Sequence, residues 1–310
     1  MENIEVERTK LNNCFFIVGP TSGGKSELAA EVAARCDAEV VSADAFQIYR
    51  GLPLLTAQPD EATLRKVPHH LIGAVPLDEG MSAEKFRGLA LSAIEEINGR
   101  GKLAIVVGGS GLYLKALTHG LASLPAVDVK LRAELNALSL EELNARLLAV
   151  DLLGAEKIDR RNKRRVVRAL EIFAQTEMPA SAQRPQWQQD SVSATGVLIL
   201  RERAELYARI DRRVEEIFRD GVTEEVARVG RLSVTAAETL GLEEIRRLLE
   251  GKISAAECVA AIQQSTRRYA KRQLTWFRQQ PIFEPLNLSK DHATAADWIL
   301  QKVALLRPHE

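Results

Sequence analysis

Residues 19–26 carry the clearest chemical pattern in the sequence. They read Gly-Pro-Thr-Ser-Gly-Gly-Lys-Ser and match the phosphate-loop pattern G-x-x-x-x-G-K-[ST] at every fixed position. In such a loop the backbone N–H groups surround an anion, and the N-terminus of the next helix adds partial positive charge. Lys25 would reach the outer phosphate and the Ser26 hydroxyl would hold Mg²⁺. The alternative is a strand-to-helix turn that binds nothing. The predicted phosphate site comprises Gly19, Pro20, Thr21, Ser22, Gly23, Gly24, Lys25 and Ser26.

Two further polar residues follow apolar runs that read as buried strands. Asp44 comes after residues 39–42, and Ser110 lies among three glycines after residues 103–107. Ligands of open α/β sheets bind beyond the carboxyl ends of the strands, so both side chains are expected near the phosphate loop. Asp44 could bind Mg²⁺, accept a hydrogen bond from a substrate, act as a general base or simply cap a turn. Ser110 could donate to a developing negative charge or cap the following helix.

Positive charge is concentrated in two segments. Residues 157–168 contain seven Lys or Arg and one acid, and residues 267–278 contain five basic residues and no acid. A helix over 162–171 would place four arginines of the first segment on one face, an arrangement that suits a phosphate-rich partner better than a solvated surface. These arginines are Arg161, Arg164, Arg165 and Arg168.

The second basic segment also contains aromatic residues, namely Tyr269, Trp276 and Phe277. RNA-binding surfaces combine cations for phosphates with aromatic rings for unstacked bases. The pattern is equally typical of a helix whose aromatic residues enter the core while its basic side chains extend into solvent.

The composition excludes several classes of protein. The 310 residues are 46% hydrophobic and 27% charged, and the formal net charge of zero leaves only local patches to attract a polyanion. Three cysteines without a CxxC pair argue against a disulfide framework or a zinc site. His69 and His70 lack Cys or Asp at ligand spacing and are interpreted as structural. With no apolar signal region and no run long enough to span a membrane, the protein is predicted to be cytoplasmic.

Alternating strands and helices must position these residues. Strands are predicted near 14–18, 39–42, 69–72, 103–107 and 196–200, with a helix over 82–98 capped by Ser82. Residues 128–178 and 201–278 have helical patterns, and 180–195 reads as a polar loop. We predict an α/β fold: a P-loop NTPase-like core with a parallel sheet over 1–120 and 196–310, and a mostly helical inserted domain over 121–195.

Several segments, in this order, resemble the bacterial tRNA dimethylallyltransferases, also called tRNA isopentenyltransferases. The resemblance covers about residues 14–278, and its last two motifs are more specific than the phosphate loop. The matching segments are residues 19–26, Ser42-Ala43-Asp44-Ala45-Phe46-Gln47-Ile48-Tyr49-Arg50-Gly51, Pro68-His69-His70-Leu71-Ile72, Ser82-Ala83 with Phe86, Val107-Gly108-Gly109-Ser110-Gly111-Leu112-Tyr113, Asn162 with Arg165-Val166-Val167-Arg168-Ala169-Leu170-Glu171, and Lys271-Arg272-Gln273-Leu274-Thr275-Trp276-Phe277-Arg278.

This resemblance implies a monomer that transfers a dimethylallyl group from dimethylallyl diphosphate to N6 of the adenine at position 37, beside the tRNA anticodon. The phosphate loop and Mg²⁺ would hold the leaving diphosphate, with help from Arg213. Asp44 and Ser110 would be catalytic, Ser110 standing where the family usually has Thr. The base would flip out of its stack. The implied contacts with the tRNA anticodon stem-loop are Asp44, Ala45, Phe46, Gln47, Ser110, Arg132, Arg164, Arg165, Val166, Val167, Arg168, Lys271, Arg272, Gln273 and Arg278.

The sequence departs from the family pattern at Gln58, where Lys is common, at Leu242-Glu243, where an aromatic residue precedes a cation, and at Ser110. Three alternative functions stay open: prenylation of free adenine nucleotides, an ATP-dependent small-molecule kinase, and a non-catalytic RNA-binding module. The basic segments and the long insertion favour an RNA acceptor over the first two. The intact Lys25, Ser26 and Asp44 argue against the third.

Overall fold

The computed structural model describes residues 11, 13–121, 124–183, 195–280 and 282–306. Its strands are β1 Cys14–Val18, β2 Ala38–Ser42, β3 His69–His70, β4 Leu103–Gly108, β5 Gly196–Leu200 and β6 Glu284–Asn287. They form one sheet in the order β3-β2-β4-β1-β5-β6, and every pairing between neighbours is parallel. The strand order and the helical crossovers confirm the predicted α/β fold with a P-loop-like core.

The helices are α1 Lys25–Arg35, α2 Glu61–Leu64, α3 Ala83–Gly99, α4 Gly111–His119, α5 Val129–Ala137, α6 Leu140–Val150, α7 Leu152–Lys157, α8 Lys163–Thr176, α9 Ala180–Gln183, α10 Arg203–Arg219, α11 Val222–Ala227, α12 Leu242–Leu249, α13 Ala255–Phe277, α14 Leu288–Asp291 and α15 Ala295–Ala304, with a 3₁₀ turn at Ala236–Glu238. Side-chain caps fix several of their starts. Ser82 accepts a hydrogen bond from the Lys85 N–H at α3, and Ser254 forms a capping box with Glu257 at α13.

Alternate residues of the central strands supply two hydrophobic layers, one on each face of the sheet. Phe15 and Ile17 of β1 belong to the layer that contains α1 and α15, whereas Phe16 and Val18 belong to the layer that contains α3 and α4. Because both faces are covered, these strands are apolar at nearly every position, which explains the continuous hydrophobic runs in the sequence.

The register of the strands brings their carboxyl ends to one edge of the sheet. Val18 pairs with Gly108 and also with Leu198, while Ser42 pairs with Val107. The loops that follow β1, β2, β4 and β5 therefore leave the sheet side by side. These loops contain the phosphate loop, Asp44, Ser110 and Arg201, which is the arrangement that open α/β sheets use for binding ligands.

The chain divides into two compact units, Met1–Thr118 with Ser191–Glu310 and His119–Asp190. The first contains the sheet, and its helices α10 to α13 enclose a further apolar cluster that includes Leu52 and Leu55. The second consists of helices α5 to α9 within its described residues, and its core includes Leu143, Leu147 and Leu170. We call the second unit the helical unit.

Three elements near the C-terminus, β6, α14 and α15, are not predicted from the sequence. β6 reads Glu-Pro-Leu-Asn and lies at the edge of the sheet, where a proline is tolerated.

Arg161 precedes Asn162, the N-cap of α8, so it does not share a helix face with the later arginines. The N-terminal residues and most of the predicted polar loop, 184–194, lie outside the described residues. Within the described ranges, no helix is long and apolar enough to cross a membrane.

Candidate active site

The phosphate loop joins β1 to α1 and is held closed by its own lysine. Gly24, the N-cap of α1, has a φ of 92°, a conformation that favours glycine. The Lys25 Nζ donates to the Pro20 carbonyl at 2.6 Å. Burial lowers the pKa of Lys25 to about 8; Asp44 opposes this shift and Arg213 adds to it. An anion that enters the loop would favour the charged form of Lys25 and raise its pKa again.

Three arginines brace the phosphate loop from the side of β5 and α10. Arg201 Nε donates to the Gly23 carbonyl at 2.9 Å, Arg209 Nε to the Ser22 carbonyl at 3.0 Å, and an Arg213 nitrogen to the Thr21 hydroxyl at 3.1 Å. Burial lowers the pKa of Arg213, and the charge of Asp44 acts against that shift. The family resemblance points to Arg213, whereas nothing in the sequence marks Arg201 and Arg209. Their contacts make the loop a pre-formed, electropositive cradle.

Asp44 follows β2 and caps the turn that it begins. Its Oδ1 accepts hydrogen bonds from the Phe46 N–H at 2.9 Å and from the Gln47 N–H at 3.2 Å. Among the described residues, no hydrogen bond uses the other carboxylate oxygen, Oδ2. The turn-capping role considered for this aspartate is therefore real, and it fixes the carboxylate without occupying the oxygen that a ligand would need.

Ser110 connects two strand-end loops. Its Oγ accepts a hydrogen bond from the Ala45 N–H at 2.9 Å. The neighbouring glycines allow close packing. A Cβ on Gly108 would overlap the Ala43 carbonyl oxygen, and one on Gly111 would lie 2.5 Å from the Trp276 ring. The glycine-rich turn thus packs against the protein itself while it presents the Ser110 hydroxyl.

A pocket opens between the phosphate loop, the Asp44 turn, the helices α10 and α13, and the segment that precedes α12. One wall is aromatic: the rings of Phe46 and Tyr269 lie 6.4 Å apart between centroids, and the Arg272 guanidinium lies 5.6 Å from the Tyr269 ring centre. Burial raises the pKa of Tyr269, so its hydroxyl keeps its proton at neutral pH. The lining residues are Thr21, Asp44, Phe46, Leu55, Thr56, Arg213, Val214, Ile217, Thr239, Leu240, Ile262, Thr266 and Tyr269.

The loop after Asp44 is braced by two glutamines. Gln47 Nε2 donates to the Ala57 carbonyl at 2.8 Å, and Gln58 Nε2 donates to the carbonyls of Gln47 and Tyr49, each at 2.9 Å. Gln58, where the family commonly has Lys, therefore holds the loop beside the pocket without adding positive charge. Glu243, which also differs from the family pattern, is exposed on α12.

Helix α13 separates its basic and aromatic residues by exposure. Lys271, Arg272 and Arg278 are exposed, whereas Phe277 is buried and Trp276 packs on it at 5.0 Å between ring centroids. Gln273 is expected from the resemblance to contact tRNA, but its side chain is buried and both ends of its amide are bonded within the protein. The Gln273 amide is therefore engaged in contacts within the protein.

The basic residues of the helical unit are not equivalent. Arg132 and Arg168 both pair with Glu171, which is fully buried, and Arg168 also donates to the Pro125 carbonyl at 2.7 Å. Arg164 and Arg165 are exposed.

Val166 and Val167, also expected to contact tRNA, are instead buried in the core of the helical unit. Helical periodicity turns these two side chains into the core and away from the exposed arginines.

The histidine pair lies at the edge of the sheet. His70 Nε2 bonds to the Glu39 carboxylate at 2.8 Å, and Arg100 bonds to the same carboxylate at 2.7 Å. His69 Nδ1 bonds to the Val67 carbonyl. In the part of the chain that the structure describes, no group of three or more His, Cys, Asp and Glu side chains is placed to hold a metal ion.

Comparison with known proteins identifies the family. The sequence profile of the IPP transferases matches residues 47–280. The chain is 42% identical over 281 residues to the tRNA dimethylallyltransferase of Akkermansia muciniphila, covering 91% of this chain and 95% of that protein. It is 41% identical over 305 residues to tRNA dimethylallyltransferase 1 of Citrifermentans bemidjiense, covering 96% and 99%. The chain belongs to the IPP transferase family.

The solved structures agree with this assignment. The tRNA isopentenylpyrophosphate transferase of Bacillus halodurans has 32% identity and a TM-score of 0.68, covering 95% of this chain and 98% of that protein. The corresponding transferase of Staphylococcus epidermidis has 29% identity and a TM-score of 0.69, covering 95% and 99%. The resemblance stated from the sequence motifs is confirmed, and with it the enzyme class: a prenyltransferase that acts in tRNA modification.

Proposed function

We propose that the protein transfers the dimethylallyl group of dimethylallyl diphosphate to N6 of the adenine at position 37 of tRNA, and releases diphosphate. The observation that carries this proposal is a pocket that Thr21 of the phosphate loop, Arg213 and the Asp44 carboxylate line together. Lys25 lies close enough to Asp44 and Arg213 to interact with their charges, and the Ser110 hydroxyl is bonded to the Ala45 N–H beside Asp44. An anion cradle that faces a carboxylate suits a reaction in which a diphosphate leaves while an amine attacks.

The donor's diphosphate would occupy the phosphate loop. Lys25 and Arg213 would neutralise the charge that develops on it as the carbon–oxygen bond breaks, while Arg201 and Arg209 keep the loop in shape. The Ser26 hydroxyl, on the second residue of α1, is a hard oxygen ligand that fits Mg²⁺. Other oxygens for the ion would come from the diphosphate and water, and the ion would supply charge neutralisation of the leaving group.

The acceptor would enter from the side of Asp44 and the aromatic wall. A bond forms between N6 of adenine and the allylic carbon, the carbon–oxygen bond breaks with its electron pair going to the diphosphate, and N6 loses one proton. Asp44 Oδ2 would accept that proton or a hydrogen bond from the amine. Ser110 would donate to the oxygen that leaves. Phe46 and Tyr269 would offer a face to the flipped-out base, since stacking stabilises an unpaired base.

Contacts with the anticodon stem-loop would come from exposed cations. In the helical unit these are Arg164 and Arg165, and on α13 they are Lys271, Arg272 and Arg278. Ala45, Phe46 and Gln47 would surround the target base. Arg132 and Arg168 would act chiefly by holding the helical unit together through Glu171. We expect the enzyme to work as a monomer in the cytoplasm, where unmodified tRNA is available.

One assay tests the proposal against the alternatives. The protein is incubated with Mg²⁺, labelled dimethylallyl diphosphate and either unmodified tRNA or AMP. We expect label on tRNA only. Label on AMP but not on tRNA would contradict the proposal and favour the modification of free nucleotides. A requirement for ATP, with phosphate transferred to a small molecule, would favour the kinase. The names of the similar proteins support neither alternative.

A further inference from the structure

Gln273 lies where helix α13 passes both loops of the candidate active site. Its side chain is 5% exposed. Its Oε1 accepts a hydrogen bond from the Thr21 N–H of the phosphate loop at 2.8 Å, and its Nε2 donates to the Gly109 carbonyl at 3.0 Å. One buried carboxamide therefore joins the anion cradle to the turn that carries Ser110.

The space around this amide is filled. A Cβ added to Gly109 would overlap the Gln273 Nε2 and would lie 2.7 Å from the Gly19 carbonyl oxygen. The Gly19 N–H also donates to the Gly108 carbonyl at 3.3 Å. The two loops are thus in contact, and the amide fills the gap beside that contact. It offers an acceptor to an N–H and a donor to a carbonyl, which an ionised carboxylate or an apolar side chain cannot do together.

We propose that Gln273 is a positioning residue that sets the distance between the phosphate loop and the Ser110 hydroxyl. The inference rests on the proposed function, since in that reaction the breaking carbon–oxygen bond lies between these two groups. Gln273 touches neither substrate and acts through Thr21 and Gly109. Its loss therefore lowers the turnover number more than it changes the affinity for tRNA, because small displacements of reacting groups slow the chemical step steeply.

The substitution Gln273→Glu gives this role a distinctive pH dependence. When the introduced carboxyl group is protonated, it reproduces the wild-type pattern, with one oxygen accepting from the Thr21 N–H and the O–H donating to the Gly109 carbonyl. When it is ionised, it places an acceptor against that carbonyl and a negative charge beside the diphosphate. Burial raises the pKa of a carboxyl group toward the pH range where the enzyme can be assayed.

The test compares kcat of the wild type, Gln273→Glu, Gln273→Met and the control Gln264→Glu, which changes an exposed residue of the same helix. Between about pH 6 and about pH 8.5, the ratio of Gln273→Glu to wild type falls by about tenfold for each pH unit above the pKa of the new carboxyl. Gln273→Met lowers kcat by about 10- to 100-fold at every pH, with little change in KM for tRNA. The control follows the wild type.

A pH-independent ratio for Gln273→Glu would overturn the inference, as would a wild-type kcat for Gln273→Met. If Gln273→Met does not fold, the pH series on Gln273→Glu decides alone. Absence of transfer by the wild type would contradict the proposed function instead. In that case, calorimetric titration with inorganic diphosphate over the same pH range tests Gln273 separately. We expect the relative affinity of Gln273→Glu to fall with rising pH, and a constant relative affinity would reject the positioning role.

Discussion

The loops at the sheet edge and the helical unit both concentrate arginine, but they use it differently. At the sheet edge, Arg201, Arg209 and Arg213 bond to groups of the phosphate loop itself. In the helical unit, Arg132 and Arg168 are bound to a buried glutamate, while Arg165 is exposed. An arginine that shapes a small-molecule site is therefore held by backbone carbonyls and hydroxyls of that site. An arginine that binds a large polyanion at the surface must instead be exposed to solvent.

This difference shows why counting basic residues is a poor guide to RNA contact. Arg165 and Arg168 lie three positions apart in one motif of α8, yet Arg168 pairs with Glu171 whereas Arg165 is exposed. The two arginines around Glu171 stabilise the helical unit, because an unpaired buried carboxylate is costly. Substitutions of these two arginines can therefore separate an effect on the stability of the helical unit from an effect on tRNA binding.

The largest effect is expected at the sheet edge, from Asp44→Ala. Loss of the proton acceptor should lower kcat by about 10²- to 10⁴-fold, while tRNA binding stays close to that of the wild type. Single-turnover transfer and a filter-binding assay measure the two quantities, with Asp78→Ala, at an exposed aspartate, as the control. Unchanged turnover would remove Asp44 from the chemistry.

The next largest effect is expected on the binding of dimethylallyl diphosphate, as Lys25 loses its proton with rising pH. Its pKa is lowered to about 8 by burial, so it is charged below that pH and loses its proton as the pH rises through it. The KM for dimethylallyl diphosphate should therefore rise above about pH 8, approaching tenfold for each pH unit. Lys25→Arg should abolish this rise in KM, because a guanidinium stays charged throughout that range. An equal rise in both proteins would assign the pH dependence to another group.

In the helical unit, Arg168→Ala should act mainly on stability. It removes one partner of the buried Glu171, and we expect the free energy of unfolding of this unit to fall by about 2 kcal/mol. Hydrogen exchange followed by mass spectrometry on peptides from 163–176 measures this local opening. Protection equal to that of the wild type would show that the ion pair adds no stability. Arg168 would then be counted among the surface residues that contact tRNA.

The smallest effect is expected from the exposed neighbour. Arg165→Ala should leave hydrogen exchange in α8 unchanged and should reduce the dependence of log K on log salt for tRNA binding by about 1. Binding titrations at several salt concentrations give this slope. If Arg165→Ala instead loosens α8 and leaves the slope intact, the distinction between the two arginines is wrong.

Much of this arrangement could be predicted from the sequence, because its signals are local. The phosphate loop, Asp44 and Ser110 each follow an apolar strand directly, and the parallel sheet then brings their loops together. The burial of Val166 and Val167 could also be predicted from the sequence, since helical periodicity places them opposite the exposed arginines. The family motif groups them with residues expected to contact RNA, although such a motif also includes residues that pack in the core.

Other features depend on contacts between distant parts of the chain. Gln273 bonds to Thr21, 252 positions away, and Arg201 bonds to Gly23, 178 positions away. No local pattern marks a glutamine in a basic helix as a buried connector between two loops. β6 was missed for a different reason: a strand of four residues with a proline and an exposed start has no clear alternation.

The stoichiometry of the reaction shows most directly whether the phosphate loop holds the leaving diphosphate. The protein is incubated with Mg²⁺ and dimethylallyl diphosphate, without any nucleoside triphosphate, and with either an unmodified tRNA that has adenine at position 37 or the same transcript with guanine there. We expect one diphosphate to be released for each dimethylallyl group attached to the adenine transcript, and no transfer to the guanine transcript. Transfer that requires ATP, or equal labelling of both transcripts, would contradict this expectation.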